Sequence, residues 1–119
     1  MTQAGVKSGE GDDTMALIPR NPGTLFPPYR SYSHAIEAPA GARLLFISGL
    51  NGYQADGRTM PDSFEAQGEL VWQYIGDLLH ESAMDDSDRV SIRTYLSDPI
   101  CGEANVGLRL KYLGSHRPA

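Results

Sequence analysis

Hydrophobic positions along this chain keep two periods, and the switch between them marks out its elements. Ser31 to Ala38 alternates, with Tyr32, His34 and Ile36 on one side, and predicts a strand. Leu44-Leu45-Phe46-Ile47-Ser48-Gly49 is apolar at successive positions, which predicts a strand buried on both faces and central in its sheet. Pro39-Ala40-Gly41-Ala42 lies between them as a turn signal, so the two runs are expected to form an antiparallel hairpin. After Pro61 the spacing lengthens. Phe64, Gln67, Val71, Tyr74, Ile75, Leu78 and Leu79 follow the helical repeat, with Asp62 as the expected cap and an end near Ser82. Val90, Ile92, Thr94 and Leu96 then alternate against Arg89, Ser91, Arg93 and Tyr95, the pattern of a half-buried strand. Val106, Leu110 and Leu113 predict a second helix from about Gly102, closed by Gly114.

Residues 1–17 precede this pattern and are expected to be a disordered leader, because the first fourteen offer almost nothing to bury. From Ile18 to Tyr29 the chain holds Pro19, Pro22, Pro27 and Pro28, which predicts an extended lead-in. The element order β-β-α-β-α predicts an α+β two-layer sandwich, a mixed β-sheet covered on one face by two helices. A right-handed crossover should set the Arg89 strand parallel to the Leu44 strand. The pattern then asks for one more strand after Ala119, so 18–119 reads as a single domain lacking its final strand.

Composition narrows the function classes. With 119 residues, 40% hydrophobic and 21% charged, the chain fits one ordinary globular domain. A net charge of -5 argues against a phosphate-backbone binder, so no nucleic acid partner is expected. No apolar run approaches the roughly 20 residues that span a bilayer, so no membrane partner is expected either. The single cysteine, Cys101, excludes an intrachain disulfide and favours a cytoplasmic setting. Cys101 and the scattered His34, His80 and His116 do not have the spacing of a metal site.

A few residues are candidates for chemistry. Ser48-Gly49 ends a strand and opens a glycine-bearing loop, which offers a hydroxyl and an approachable backbone, or simply a strand exit that needs glycine. Asn105 sits in the first turns of the second helix, where its propensity is poor, as a functional amide or a solvent-facing residue. Tyr32 is a core aromatic or a ligand contact. Cys101 is a thiol near a helix N-terminus or a small packing residue. Arg89 and Arg93 share a strand face with Ser91 and Tyr95, placed to bind an acidic group or to form a solvated sheet face.

Taken in order, these stretches resemble the RidA (YjgF) family. The matching text is Tyr32-Ser33-His34-Ala35, Leu45-Phe46-Ile47-Ser48-Gly49, Gly57, Phe64-Glu65-Ala66-Gln67, Leu78-Leu79, Arg89-Val90, Thr94-Tyr95-Leu96-Ser97-Asp98, Asn105 and Arg117-Pro118-Ala119. The resemblance covers about residues 20–119. It implies a chorismate-mutase-like fold, a homotrimer with clefts between subunits, and a cytoplasmic enamine/imine deaminase. Such an enzyme hydrolyses reactive imine metabolites to ketoacid and ammonia with no cofactor and no metal. A non-catalytic small-molecule-binding or interaction module on the same fold is the alternative. Tyr32, Ser48, Gly49 and Asn105 correspond to the substrate-binding positions. The family's carboxylate-binding arginine and its water-activating glutamate fall beyond Ala119, so no catalytic residue is assigned. Arg117, just short of the arginine slot, is the candidate substitute for the carboxylate clamp.

Overall fold

The computed structural model describes residues 2–7 and 16–119. The chain is α+β. Among the described residues five strands, β1 (Thr2–Lys7), β2 (Ile18–Arg20), β3 (Ala35–Glu37), β4 (Arg43–Ile47) and β5 (Arg89–Arg93), accompany two α-helices, α1 (Phe64–Glu81) and α2 (Gly102–Leu113). One sheet has the order β4-β1-β5, and a second pairs β2 with β3.

The strands depart from expectation in three ways. The leader is the first. Residues 1 and 8–15 lie outside the described residues, but Thr2–Lys7 is the middle strand of the larger sheet, antiparallel to both neighbours. Its composition gave no sign of this. Pairing with a strand on each side satisfies its backbone groups, and that context outweighs weak intrinsic preference.

The second concerns the expected hairpin. The turn forms, with the Ala42 amide donating to the Pro39 carbonyl at 3.3 Å. Yet β3 pairs with β2, where Arg20 and Glu37 bridge the strands at 2.9 Å, and β4 pairs with β1. Because both β4 and β5 run antiparallel to β1, they are parallel to each other, as the crossover rule requires. All the ladders are nonetheless antiparallel, so the sheet is not the mixed one expected.

The third is exposure. β4 lies at the sheet edge, and Leu44 and Phe46 are 58% and 78% exposed while Ile47 is buried. The apolar run at Leu44–Ile47 therefore serves one buried face and one open one.

The helices fall close to their expected bounds. Ser63, not Asp62, caps α1. Its hydroxyl accepts the Ala66 amide at 3.1 Å, one residue further along than the spacing suggested. Gly114 ends α2 at φ 58, the left-handed conformation that glycine adopts without strain. Among the described residues no helix is long and apolar enough to cross a membrane.

Two apolar clusters hold the layers together. Ile47, Val71, Ile75, Leu79 and Met84 pack under β4, with Leu45 and Leu50 at their edge. Trp72, Leu108 and Leu113 join α1 to α2, with Phe64, Ile92 and Tyr112 around them. Arg89 lies within this second region, contrary to its expected place on an open strand face. It is fully buried, its guanidinium stands 4.4 Å from the centre of the Trp72 ring, and it pairs with Asp86. The register of β5 shifts between Ala4 and Gly5 of β1, and such an irregularity re-aims the side chains that follow it.

A polar strap crosses the outside of the helix pair. Lys111 Nζ donates to Glu69 at 2.5 Å, and the Tyr112 hydroxyl donates to the same carboxylate. Lys111 first and Tyr112 second hold the Glu69 carboxyl below the usual carboxylate range. A depressed carboxyl pKa stabilises the fold above the unfolded-state pKa, and that stability is lost as pH falls through the folded-state value. Glu69→Gln is therefore expected to lower stability at pH 7, and the gap from wild type should close on acidification below the normal Glu range. Urea unfolding of both proteins at several pH values checks this. A gap that widens in acid would contradict it.

Candidate functional site

The loop after β4 turns back onto α1 and opens a cleft beside α2. Gly52 makes this possible. A Cβ at that position would lie 2.6 Å from the Gln67 carbonyl oxygen, so only glycine lets the loop backbone touch the helix. Gln67 in turn ties the other end of the loop, donating from Nε2 to the Pro61 carbonyl at 2.7 Å. The Tyr74 hydroxyl donates to the Tyr53 carbonyl at 2.6 Å and holds the middle.

The cleft has a volume of about 120 Å³. Leu50, Phe64, Val71, Trp72 and Leu96 give it apolar walls, and Asn105 supplies an amide. Among the described residues no acidic or basic side chain lines it. Trp72 and Thr94 also line it, and the indole Nε1 and the Thr94 hydroxyl are both buried without a hydrogen-bond partner among the described residues.

A second group of polar residues gathers where the lead-in meets the end of α2. Arg30 reaches Glu103 with two guanidinium nitrogens, at 3.0 and 2.9 Å, and fixes the segment that follows it. Ser31 and Ser33, on either side of Tyr32, are both buried. Arg109 donates to the Ser31 hydroxyl at 3.3 Å and to its carbonyl at 3.1 Å. The Ser33 amide donates to the Pro118 carbonyl at 3.0 Å, and its hydroxyl to the Arg117 carbonyl. Tyr32 is thereby tied to the Arg117-Pro118 segment. Its ring meets His34 edge-on, with centroids 5.6 Å apart. His34 Nε2 carries the proton, since it faces the Phe26 carbonyl at 2.7 Å.

Arg117 donates to the Gly114 carbonyl at 2.6 Å and to the His116 carbonyl at 3.0 Å. No carboxylate pairs with Arg109 or Arg117 among the described residues. Burial first, then the neighbouring Arg117 charge, lowers the Arg109 pKa. Two guanidinium groups that repel each other without an acid between them make a local positive site on an acidic protein.

The sequence-predicted residues thus fall into three places. Asn105 lines the cleft. Tyr32 lies between Ser31, which Arg109 holds, and Ser33, whose hydroxyl donates to the Arg117 carbonyl. Ser48 and Gly49 are exposed at the exit of β4, directly ahead of the Leu50-Asn51-Gly52 wall. Arg109 connects the first two places. It follows Asn105 by one helical turn, so the two residues are neighbours on one face of α2. Sequence reasoning passed over Arg109, although its spacing from Asn105 was the available signal. It also passed over Trp72, the single tryptophan of the chain, which falls on the buried face of α1. Cys101 is half-buried, just ahead of α2, and outside the cleft lining.

At its last residue the chain runs beside β5. The Ala119 amide donates to the Val90 carbonyl at 2.9 Å, and the Ile92 amide donates to the Ala119 carbonyl at 3.1 Å. Among the described residues no three His, Cys, Asp or Glu side chains come together as metal ligands. Comparison with protein-family models, with curated proteins and with solved structures finds no match to this chain.

Proposed function

We propose that this protein is an enamine/imine deaminase of the RidA type, hydrolysing small reactive imino acids to ketoacid and ammonia. The observation that carries this reading is the pair Arg109 and Arg117, which meet the chain at Ser31 and Ser33 on either side of Tyr32 and have no carboxylate partner among the described residues; Arg109 is one helical turn from Asn105. A carboxylate that accepts from these guanidinium groups gains charge-assisted hydrogen bonds. Its imine carbon then lies toward the Asn105 cleft.

The reaction needs water to add at the imine carbon while a proton reaches the nitrogen. The resulting carbinolamine loses ammonia as its hydroxyl becomes the ketone. His34, in ring contact with Tyr32, is the group this chain offers for those proton transfers, in the role the resemblance gives to a glutamate. Arg109 and Arg117 hold the substrate, and neither exchanges protons.

In the same proposal the fold is the chorismate-mutase-like one, and copies of the chain form a homotrimer in the cytoplasm. Leu44 and Phe46 on the open face of β4, with Tyr95 at 78% exposure, supply apolar surface for such packing. Ser48 and Gly49, exposed within one protomer, are then placed to meet a site completed by a neighbouring copy.

The test is ammonia release from freshly generated 2-iminobutyrate. The protein is expected to accelerate it well above the buffer rate. Hydrolysis no faster than in buffer, from protein shown to be folded, would overturn the proposal.

A further inference from the structure

The chain has three asparagines, and only Asn51 is followed by glycine. Such a pair is prone to self-modification, because no Cβ hinders the glycine nitrogen from reaching the asparagine side chain. Asn51 is exposed on the loop that follows β4. Among the described residues neither its side-chain amide nor the Gly52 backbone amide makes a hydrogen bond, so no bond must break before the two react. The comparable sites in the chain are locked. Asn21 precedes Pro22, whose nitrogen carries no proton, and its side-chain oxygen accepts from the His34 amide at 2.8 Å. Asn105 lies within helix α2, ahead of the β-branched Val106. Asp56-Gly57 is the one Asp-Gly pair, where the same ring closure would need a protonated carboxyl. The Asp56 carboxylate accepts from the Arg58 and Thr59 amides at 2.8 Å each and from the Thr59 hydroxyl at 2.6 Å. Thr59 first and Arg58 second hold its carboxyl below the usual carboxylate range. The Gly57 amide is also engaged, donating to the Gln54 carbonyl at 2.9 Å.

We propose that Asn51-Gly52 is a self-modification site, at which the folded chain converts Asn51 to aspartate and isoaspartate with water as the only co-reactant. The Gly52 nitrogen attacks Asn51 Cγ, and the new C–N bond closes a succinimide. The side-chain nitrogen leaves as ammonia, taking up the Gly52 proton. Water then opens the ring at either carbonyl. A neutral amide is thereby replaced by a carboxylate, on a residue of a cleft that has no acidic side chain among the described residues that line it. The isoaspartyl product also adds a methylene to the main chain just ahead of Gly52. There is no slack for it, since a Cβ on Gly52 would already lie 2.6 Å from the Gln67 carbonyl oxygen. That product therefore unseats the loop from α1.

The test incubates the full chain at mildly alkaline pH, folded and in urea, and maps its peptides by mass spectrometry with fragmentation that tells isoaspartate from aspartate. The expected result for the folded chain is a mass gain at Asn51, O replacing NH, that grows with time and faster at higher pH. Asn21 and Asn105 should stay unconverted. The Asn51 rate should lie within about tenfold of the rate in urea, as for a segment with little local structure to open. Isomerisation at Asp56 should slow on folding by more than that margin. Asn51→Gln, whose longer side chain closes a ring far more slowly, should remove the gain. The isoaspartyl fraction of aged protein should melt below Asn51→Asp, which carries the same charge on a normal backbone. Conversion of Asn51 that slows on folding beyond the same margin, or that is no faster than at Asn105, overturns the proposal. An isoaspartyl fraction that melts together with Asn51→Asp overturns the unseating of the loop.

Discussion

Trp72→Ala is expected to destabilise the protein by about 3–5 kcal/mol, the range for truncating a large buried aromatic side chain. Four contacts make the site intolerant. The Trp72 ring stacks on Tyr112, with centroids 5.3 Å apart and planes within 7° of parallel. Its other contacts are Leu108 and Leu113 of α2 and the Arg89 guanidinium. Truncation therefore opens a void where α1, α2 and β5 meet, and the surrounding helices are too firmly packed to close it. A domain of this size has only about 5–15 kcal/mol of stability to lose. Urea unfolding followed by circular dichroism measures the effect. A loss below about 1 kcal/mol would mean that Trp72 is not the joint between the helices.

Arg89→Ala is the second large effect, expected at about 3–5 kcal/mol, as for breaking one side of a buried ion pair. Arg89 is fully buried, whereas the Asp86 side chain is 40% exposed. Burial works against the Arg89 charge and pushes its pKa down, and Asp86 pushes it back up. The substitution removes the cation over the Trp72 face along with the packed stem of the side chain. Arg89→Met keeps most of the stem, so it should recover a large part of the loss. Because Arg89 and Trp72 touch, their effects should not add. The double variant is expected to lose about 1–2 kcal/mol less than the sum of the two single changes. Thermal unfolding of the four proteins closes that cycle. Strict additivity would mean that the cation and the ring do not interact.

These two residues also show where sequence reasoning stops. Helix α2 and its glycine stop were legible because they depend on local spacing and on one conformational preference. Helix α1 was legible to within a residue of its cap for the same reason. The burial of Arg89 was not, because alternation puts it on the open face, and the register irregularity against β1 that interrupts the alternation beside it leaves no mark in the sequence. The strand Thr2–Lys7 was not legible either. Its order comes from two strands that meet it from distant parts of the chain, and nothing in Thr2-Gln3-Ala4-Gly5-Val6-Lys7 announces them. The misplaced hairpin has the same origin. A turn at Pro39–Ala42 fixes that the chain reverses, but pairing partners are chosen by the whole sheet.

The site divides in the same way. Asn105 was legible as an amide in an unfavourable helical position, and it does line a cleft. Tyr32 and Arg117 were drawn together only through a resemblance, and in the fold Ser33, next to Tyr32, bonds to the Arg117-Pro118 segment. Arg109 carries no motif, and Thr94 lies in a matched stretch that gives it no role. Their interest lies in the missing acid beside one and the missing partner of the other, which are properties of packing and not of sequence.

The most direct test of the account compares 2-iminobutyrate with a neutral imine of similar size that lacks the carboxylate, using wild type and Arg117→Met. If Arg117 helps anchor the carboxylate, wild type should prefer the acid. The variant should then lose roughly tenfold to a hundredfold in kcat/KM for the acid, with little change for the neutral imine. Equal treatment of the two imines by wild type, or an unchanged preference in Arg117→Met, would contradict the claim that the arginine pair beside Tyr32 is a carboxylate site.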